Sequence, residues 1–288
     1  MGCDNSNLHR AKENRDDEFF TMLEDIEKEL EHYKGQFLDK TVYCNCDDYQ
    51  VSNFFRYFGE NFERLGLKKL IATCYKGGTG RAVKAIMSDP YKVNVTDLEG
   101  DGSFDSPECV ELLKEADIIV TNPPFSIIRK LFDLLIDYKK KFIIIGPTTA
   151  PQYKRLMGML QSGEFQCGVN YVKDFINKGQ LRKVAAVWYT NVENDVPKKK
   201  LRLTKEYYPH RYPHYDNYDA IEVSDSLNIP MDYFGVMGVP VSYLKFHNPE
   251  QFDIVGYGDS CTINGKEIFM RFFIKRKYND NIPEPSLW

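Results

Sequence analysis

The tetrapeptide Asn122-Pro123-Pro124-Phe125 contains the residue types with the clearest chemical use in this chain. It directly follows the apolar run at 117–121 and precedes a segment whose apolar residues recur at helical spacing. An amine attached to an aromatic base is a poor nucleophile, because its lone pair is delocalised into the ring. Two hydrogen-bond acceptors aimed at its two N–H groups would draw the nitrogen towards tetrahedral geometry.

The tetrapeptide can supply both acceptors. The side-chain oxygen of Asn122 is one, and the backbone carbonyl of Pro123 is the second. Pro123 and Pro124 keep the loop stiff and extended, and Phe125 can stack on a base turned out of a duplex. Such an amine could then attack a methyl group carried on a sulfonium. Because that methyl group is a good electrophile, its transfer to the nitrogen requires no strong base and no metal. The competing interpretation is a chance Asn-Pro-Pro turn after a strand.

The elements around this motif predict an α/β fold. Apolar runs predict strands at 41–46, 69–73, 117–121 and 141–146, and amphipathic segments between them predict helices, one opened by Ser52. Such alternation is typical of a mainly parallel, doubly wound sheet. Ligands bind at the carboxyl ends of the strands in such sheets, which is where residues 122–125 lie.

Two regions depart from this alternation. Two successive strands near 165–170 and 183–190 predict an antiparallel hairpin at one edge of the sheet, and residues 19–34 have the spacing of a helix. Near residue 192 Pro, Tyr, Asn and Asp become frequent and the helical period fades. We therefore predict a catalytic domain at 1–194 and an irregular, β-rich C-terminal region at 195–288.

Charge argues against a uniformly basic nucleic-acid-binding protein, since the formal net charge is −4. Basic residues are nevertheless concentrated in 195–212, interleaved with tyrosines, and this mixture suits contact with phosphates and bases. The candidates for DNA binding are Lys198, Lys199, Lys200 and Arg202. A solvated charged face is the alternative interpretation.

The chain resembles the EcoRI-type family of adenine-specific DNA methyltransferases over nearly its whole length. The segments that carry the resemblance are DEFFT at 17–21, VYCNCDD at 42–48, LIAT at 70–73, DIIVTNPPFS at 117–126 and GVMGVP at 235–240. The resemblance implies a methyltransferase-type sheet with S-adenosyl-L-methionine as cofactor. It also implies that the cofactor segment precedes the catalytic motif and that residues 195–288 recognise the DNA target.

The resemblance also implies cofactor-binding positions, each with a structural alternative. Phe19-Phe20-Thr21 resembles a Phe-Tyr-Thr segment near the methionine end of the cofactor, so Phe20 and Thr21 are the expected contacts, although Thr21 could simply cap a helix. The loop after the first predicted strand, Asn45-Cys46-Asp47-Asp48, lacks the glycines usual there, and its acids could serve only the Ser52 helix start. Asp101 and Phe104 stand where the family has an adjacent Asp-Phe pair, and their separation also fits a polar surface loop.

The sequence thus predicts transfer of a methyl group from S-adenosylmethionine to N6 of a flipped-out adenine in double-stranded DNA. The same chemistry would serve RNA adenine, cytosine N4 or a protein glutamine, and an idle DNA-binding protein could retain the scaffold. The seven cysteines lack metal-ligand spacing. We expect a cytoplasmic, DNA-associated protein without membrane spans. A partner restriction nuclease is not predictable from this chain.

Overall fold

A computed structural model describes residues 19–76, 80–177 and 179–277. Asp17 and Glu18, which belong to the first segment of the family resemblance, lie outside the described residues. The chain divides into two compact units. The first comprises Met1–Leu156 and Phe165–Val196, and the second comprises Met157–Glu164 and Pro197–Trp288.

The first unit is built on a nine-stranded sheet with the order β1-β8-β9-β7-β6-β2-β3-β4-β5. Its strands are β1 Phe20–Thr21, β2 Thr41–Cys44, β3 Lys69–Thr73, β4 Val83–Asp89, β5 Lys92–Asp97, β6 Ile118–Thr121, β7 Lys141–Pro147, β8 Gln166–Asn177 and β9 Gln180–Thr190. The central strands β3, β2, β6 and β7 run parallel to one another. The predicted α/β fold is confirmed.

Antiparallel strands flank this parallel centre on both sides. The predicted hairpin is β8–β9, which joins the sheet through β7. A second hairpin, β4–β5, pairs with β3 at the other edge. The residue pattern of 82–97 predicts one or two short strands there, and it does not indicate how they pair.

Helices connect the strands and cover the sheet. They are α1 Leu23–Leu30, α2 Asn53–Glu60, α3 Phe62–Leu65, α4 Pro107–Glu115, α5 Ile128–Asp137 and α6 Lys154–Ser162. The Ser52 hydroxyl caps α2 by accepting from the backbone N–H groups of Phe54 and Phe55. Every residue of β6 is buried, and apolar burial of this kind contributes roughly 1.5–3 kcal/mol per large side chain.

The prediction of a helix over 19–34 is wrong at its start. Phe20 and Thr21 form a two-residue strand that pairs antiparallel with β8, opposite Ile176 and Phe175. The helix α1 begins only at Leu23, with Met22 in extended conformation as its N-cap. Thr21 is therefore not a helix cap, which removes the structural alternative for this residue.

The buried carboxyl group of Glu29 joins α1 to β8. It accepts from the backbone N–H of Val169 at 2.9 Å and of Asn170 at 2.7 Å, and from the Tyr33 hydroxyl at 2.9 Å. The ladder between β8 and β9 shifts register between Cys167 and Tyr171. Such a bulge leaves backbone donors unpaired within the sheet, and Glu29 satisfies them.

The second unit contains a four-stranded sheet with the order β10-β11-β15-β12. Its strands are β10 Ile221–Glu222, β11 Met237–Pro240, β12 Phe252–Gly258 and β15 Arg271–Arg276, and a separate hairpin is formed by β13 Cys261–Ile263 and β14 Lys266–Ile268. Arg271 donates to the Glu222 carboxylate at 2.8 Å. Over the part of the chain that the structure describes, no helix is long and apolar enough to cross a membrane.

Candidate active site

A pocket lies at the carboxyl ends of β2 and β6. Its lining residues are Phe19, Phe20, Thr21, Cys46, Asp47, Asp48, Ser52, Asn53, Phe54 and Asn122. The pocket therefore brings Asn122 together with five of the predicted cofactor-binding residues, which come from two distant parts of the sequence.

The amide of Asn122 is held in one orientation. Its nitrogen donates to the backbone carbonyl of Phe19 and to the Thr21 hydroxyl oxygen, the latter at 3.1 Å. A carbonyl can only accept, so the Phe19 contact identifies which end of the amide is nitrogen. The side-chain oxygen of Asn122 is buried and has no hydrogen-bond partner among the described residues.

Thr21 lies between Asn122 and α2. Its side chain is buried, and its backbone carbonyl accepts from the side-chain nitrogen of Asn53 at 2.8 Å. Phe20, its neighbour in β1, is 37% exposed although it lines the pocket. An exposed aromatic ring at a pocket wall offers a flat apolar surface to a ligand.

Asp47 connects the ends of two strands to the start of α2. Its carboxylate accepts from the Ser52 hydroxyl at 2.7 Å and from the Thr121 hydroxyl at 2.6 Å. The backbone N–H of Asp47 donates to the carbonyl of Thr73, at the end of β3, at 3.0 Å. Asp47 therefore supports the helix cap and also lines the pocket.

Asp48 pairs with Lys76, with 2.5 Å between the carboxylate oxygen and the ammonium nitrogen. Partial burial raises the pKa of Asp48, but hydrogen bonds from Lys76 and from the Gln50 backbone outweigh it, so the net pKa is lowered. Asp48 thus keeps a negative charge at the pocket wall, where it can accept from hydroxyl or amino groups.

Asn45 and Cys46 follow β2. The Asn45 side chain is 1% exposed, and neither its oxygen nor its nitrogen has a hydrogen-bond partner among the described residues. Orphaned buried amides are rare in folded proteins and call for a water or a ligand. Asn45 is not among the residues that line the pocket, whereas Cys46 is. Burial raises the pKa of the Cys46 thiol well above its usual value, so it stays protonated.

The structure does not bring Asp101 or Phe104 to the pocket. The Asp101 carboxylate accepts from the Ser103 backbone N–H at 2.9 Å and so stabilises its own turn. Gly102 has a φ of 76°, and a Cβ at this position would overlap the Cys74 carbonyl oxygen. Phe104 is buried at 6% exposure. This turn packs against the chain after β3.

The rest of the tetrapeptide leads into α5. The Pro124 carbonyl accepts from the Ile127 backbone N–H at 3.1 Å, which starts the turn before the helix, and Pro123 is buried. Phe125 is 1% exposed, and its ring centre lies 5.7 Å from that of Phe19. Stacking of Phe125 on a base would therefore require the ring to be uncovered first.

The predicted DNA-binding residues lie in the second unit, and Lys198, Lys199, Lys200 and Arg202 are all exposed. Their backbone is fixed by two side chains: Asn248 donates to the Lys198 carbonyl at 2.9 Å, and Gln251 makes two bonds to Leu201, at 2.7 and 2.8 Å. The Lys200 ammonium lies 3.5 Å from the Glu250 carboxylate. The segment presents its charges from a fixed backbone.

Four pocket residues were not among the sequence predictions as ligand contacts: Phe19, Ser52, Asn53 and Phe54. Ser52 had a usable signal, since it was predicted to open a helix and helix N-termini attract polar and anionic groups. Phe19 contributes through its backbone carbonyl, which is independent of residue type. Asn53 and Phe54 have residue types that are ordinary for the first turn of a helix, so the sequence does not indicate that they contact a ligand.

Comparison with known proteins identifies the family of this chain. The family model described as adenine-specific methyltransferase EcoRI matches residues 7–178 and 173–282. The Type II methyltransferase M.EcoRI of Escherichia coli is 40% identical, over 95% of this chain and 97% of its own. The Type II methyltransferases M.MgeORF184P of Mycoplasma genitalium and M.MpnI of Mycoplasma pneumoniae are 34% and 33% identical, each over 94% of this chain and 98% of its own. No solved structure matches the chain. The protein therefore belongs to the EcoRI family of adenine-specific methyltransferases.

Proposed function

We propose that this adenine-specific DNA methyltransferase takes its methyl group from S-adenosylmethionine and delivers it to N6 of an adenine turned out of the duplex. The observation that carries the proposal concerns Asn122, a pocket residue: its side-chain oxygen is buried and has no hydrogen-bond partner within the part of the chain that the structure describes. An unsatisfied buried acceptor costs roughly 1–3 kcal/mol. A donor from a substrate, such as an exocyclic N–H, would recover that cost.

The pocket residues fit the proposed cofactor. S-adenosylmethionine carries a carboxylate, an amino group, ribose hydroxyls and an adenine ring. The pocket offers the Thr21 hydroxyl as a donor, the Asp48 carboxylate as an acceptor and the exposed ring of Phe20 as an apolar wall. Asn45, which precedes the pocket residue Cys46, adds a buried amide with no hydrogen-bond partner among the described residues. When bound, the cofactor supplies an electrophilic methyl group on sulfur.

Catalysis then rests on orientation and electrostatics. The Asn122 oxygen accepts from one N–H of the target amine, and the Pro123 carbonyl is the proposed acceptor for the other. Withdrawing both hydrogens from the ring plane localises the nitrogen lone pair for attack on the methyl carbon. Attack by this nitrogen would take the methyl group from the bound sulfonium, with the S–C electron pair left on sulfur, and the nitrogen would afterwards lose a proton to solvent. Preorganised dipoles of this kind lower a barrier without reorganising during the reaction.

DNA binding is proposed for the second unit, from Pro197 onward. The observation in its favour is the exposed run Lys198, Lys199 and Lys200, whose backbone is fixed by Asn248 and Gln251. Lysines in such a position can contact phosphates along the duplex, which adds affinity but no sequence information. Base reading is assigned to other residues of the same unit.

Analysis of the product tests the proposed function. DNA is incubated with the protein and methyl-labelled S-adenosylmethionine, then digested, and its nucleosides are separated by mass. We expect N6-methyladenine in DNA. N4-methylcytosine as the sole product, or labelling of RNA but not DNA, would overturn the assignment. Sequencing DNA from expressing cells for modified adenines then gives the recognition sequence.

A further inference from the structure

Thr21 makes a contact that the reaction as described above does not use. Its hydroxyl oxygen accepts from the Asn122 side-chain nitrogen at 3.1 Å, and the residue also lines the pocket. A hydroxyl has one proton. Accepting from Asn122 occupies a lone pair and leaves that proton to be donated to an acceptor elsewhere.

The Asn122 amide has both of its N–H groups committed. One is donated to the Phe19 carbonyl and the other to Thr21. Thr21 is the second residue of the short strand β1, and Phe19 directly precedes that strand. The direction of the Asn122 side-chain oxygen is therefore set by Phe19 and Thr21, and of these two partners only Thr21 also has a proton to give to a ligand.

From these contacts we infer that Thr21 couples occupancy of the cofactor pocket to capture of the target amine, an inference that rests on the proposed function. A bound acceptor, of which a carboxylate is the strongest, takes the Thr21 proton. The Thr21 oxygen then becomes a better acceptor for the Asn122 N–H. Stronger donation from that nitrogen makes the Asn122 oxygen a better acceptor for the target amine.

In this series of hydrogen bonds every donor points the same way, from the target amine through Asn122 and Thr21 to the ligand in the pocket. Hydrogen bonds arranged in this way polarise one another, and burial strengthens the effect. Asn122 is partly buried, and Thr21 is 4% exposed. By linkage, the ligand in the pocket and the target base must then raise each other's affinity by the same factor.

The coupling is measured by binding, without turnover. The probes are S-adenosylhomocysteine and a fluorescent duplex carrying the recognition sequence, with adenine or with purine at the target position. Purine lacks the exocyclic amine. In the wild type, saturating S-adenosylhomocysteine should tighten the adenine duplex by at least about fivefold, within the usual range of coupled sites. The purine duplex should gain markedly less.

Variants then assign the coupling to the hydroxyl. Thr21→Val keeps the shape but removes the proton and the acceptor, so the factor for the adenine duplex should fall close to one. Thr21→Ser should retain it. Thr96→Val, the same change on exposed β5, is the matched control and should leave it unchanged. A Thr21→Val protein with wild-type coupling would overturn the inference, and so would a wild type that shows no coupling.

A measurement on the native protein guards against a misfolded variant. The side-chain amide signal of Asn122, identified by its loss in Asn122→Ala, should shift in NMR spectra when S-adenosylhomocysteine is added. An unchanged signal at saturation contradicts the inference. The proposed function fails separately, if the wild type binds no S-adenosylhomocysteine or makes no N6-methyladenine.

Discussion

The Thr121 hydroxyl donates to the Asp47 carboxylate at 2.6 Å, across 74 positions of sequence. Thr121 is the last residue of β6, directly before Asn122, and Asp47 belongs to the pocket loop after β2. One hydrogen bond therefore joins the strand that leads into the proposed catalytic loop to the loop proposed to hold the cofactor. Both side chains are buried.

Thr121→Val should weaken this junction. The change keeps the shape of the side chain but removes the hydrogen bond from Thr121 to the buried Asp47 carboxylate, which costs about 1–3 kcal/mol of stability. Urea denaturation measures the loss, and affinity for S-adenosylhomocysteine should fall with it. Thr96→Val on exposed β5 is the control. Equal stability of the Thr121 and Thr96 variants would show that the bond contributes nothing.

Glu29 is expected to support the site through β8, the strand that pairs with β1. Glu29→Ala would leave the backbone donors of Val169 and Asn170 unpaired, so we expect roughly 2–5 kcal/mol of destabilisation. Gly168→Ala should act at the same place, since its Cβ would overlap the Glu29 carboxyl oxygen. Thermal unfolding gives both values.

Gly158→Ala in α6 is the matched control for the glycine change. A Cβ there meets nothing within 4 Å, and alanine favours a helix by up to about 1 kcal/mol over glycine. Gly168→Ala should therefore destabilise while Gly158→Ala does not. Similar melting temperatures for the two variants would mean that Glu29 and β8 are not tightly packed together.

His247 should make the second unit sensitive to acid. Burial, with help from Lys198, lowers its pKa to about 4 from the ordinary 6.5. Between pH 4 and 6.5, His247 therefore binds a proton in the unfolded chain but not in the folded unit. Stability is thus complete above pH 6.5 and falls towards pH 4, with a limiting slope of roughly 1.4 kcal/mol per pH unit.

Denaturation at several pH values tests this expectation. His247→Gln should flatten the dependence between pH 6.5 and 4, although it also disturbs the bond to the Tyr243 hydroxyl at 3.2 Å. His210→Gln, at an exposed position, should leave the dependence as in the wild type. A His247→Gln profile as steep as that of the wild type would exclude this histidine as the cause.

Neutralising Lys198, Lys199 and Lys200 together to Gln should weaken binding to cognate and scrambled duplexes alike. The plot of log affinity against log salt should flatten by roughly one unit for each phosphate that the protein no longer neutralises. The triple change Lys40, Lys68 and Lys92 to Gln removes the same charge from exposed positions of the first unit. If both triple variants bind alike, the 198–200 run is a solvated surface.

The parallel centre of the fold could be predicted because its strands are buried on both faces. Such strands appear as continuous apolar runs, and the strand predicted at 69–73 matches β3 residue for residue. The strand at Phe20–Thr21 could not be predicted, because it exists only through pairing with Ile176 and Phe175, which lie far away in the sequence. Local spacing there is that of a helix.

In the candidate site, too, some features follow from the local sequence and others depend on contacts with residues far away in the chain. Asn122 could be identified because strand ends are where such sheets bind ligands. Its orientation could not, since that depends on a backbone carbonyl at Phe19. Asp101 and Phe104 are predicted to bind the cofactor by resemblance to an adjacent Asp-Phe pair of the family. In this chain their turn packs against Cys74, and neither residue lines the pocket. The burial of Phe125 against Phe19 depends on tertiary packing, which the Asn-Pro-Pro-Phe motif does not predict.

Single-turnover methylation by Asn122→Ala tests the central claim most directly. Truncation removes the free acceptor, and loss of one preorganised dipole typically costs about 100- to 1,000-fold in rate. The variant is compared with the wild type at saturating S-adenosylmethionine and DNA, and its affinity for S-adenosylhomocysteine is measured alongside. We expect the rate of N6-methyladenine formation to fall by that factor while the cofactor analogue still binds. A wild-type rate in a variant that binds the analogue normally would place the catalytic acceptor elsewhere.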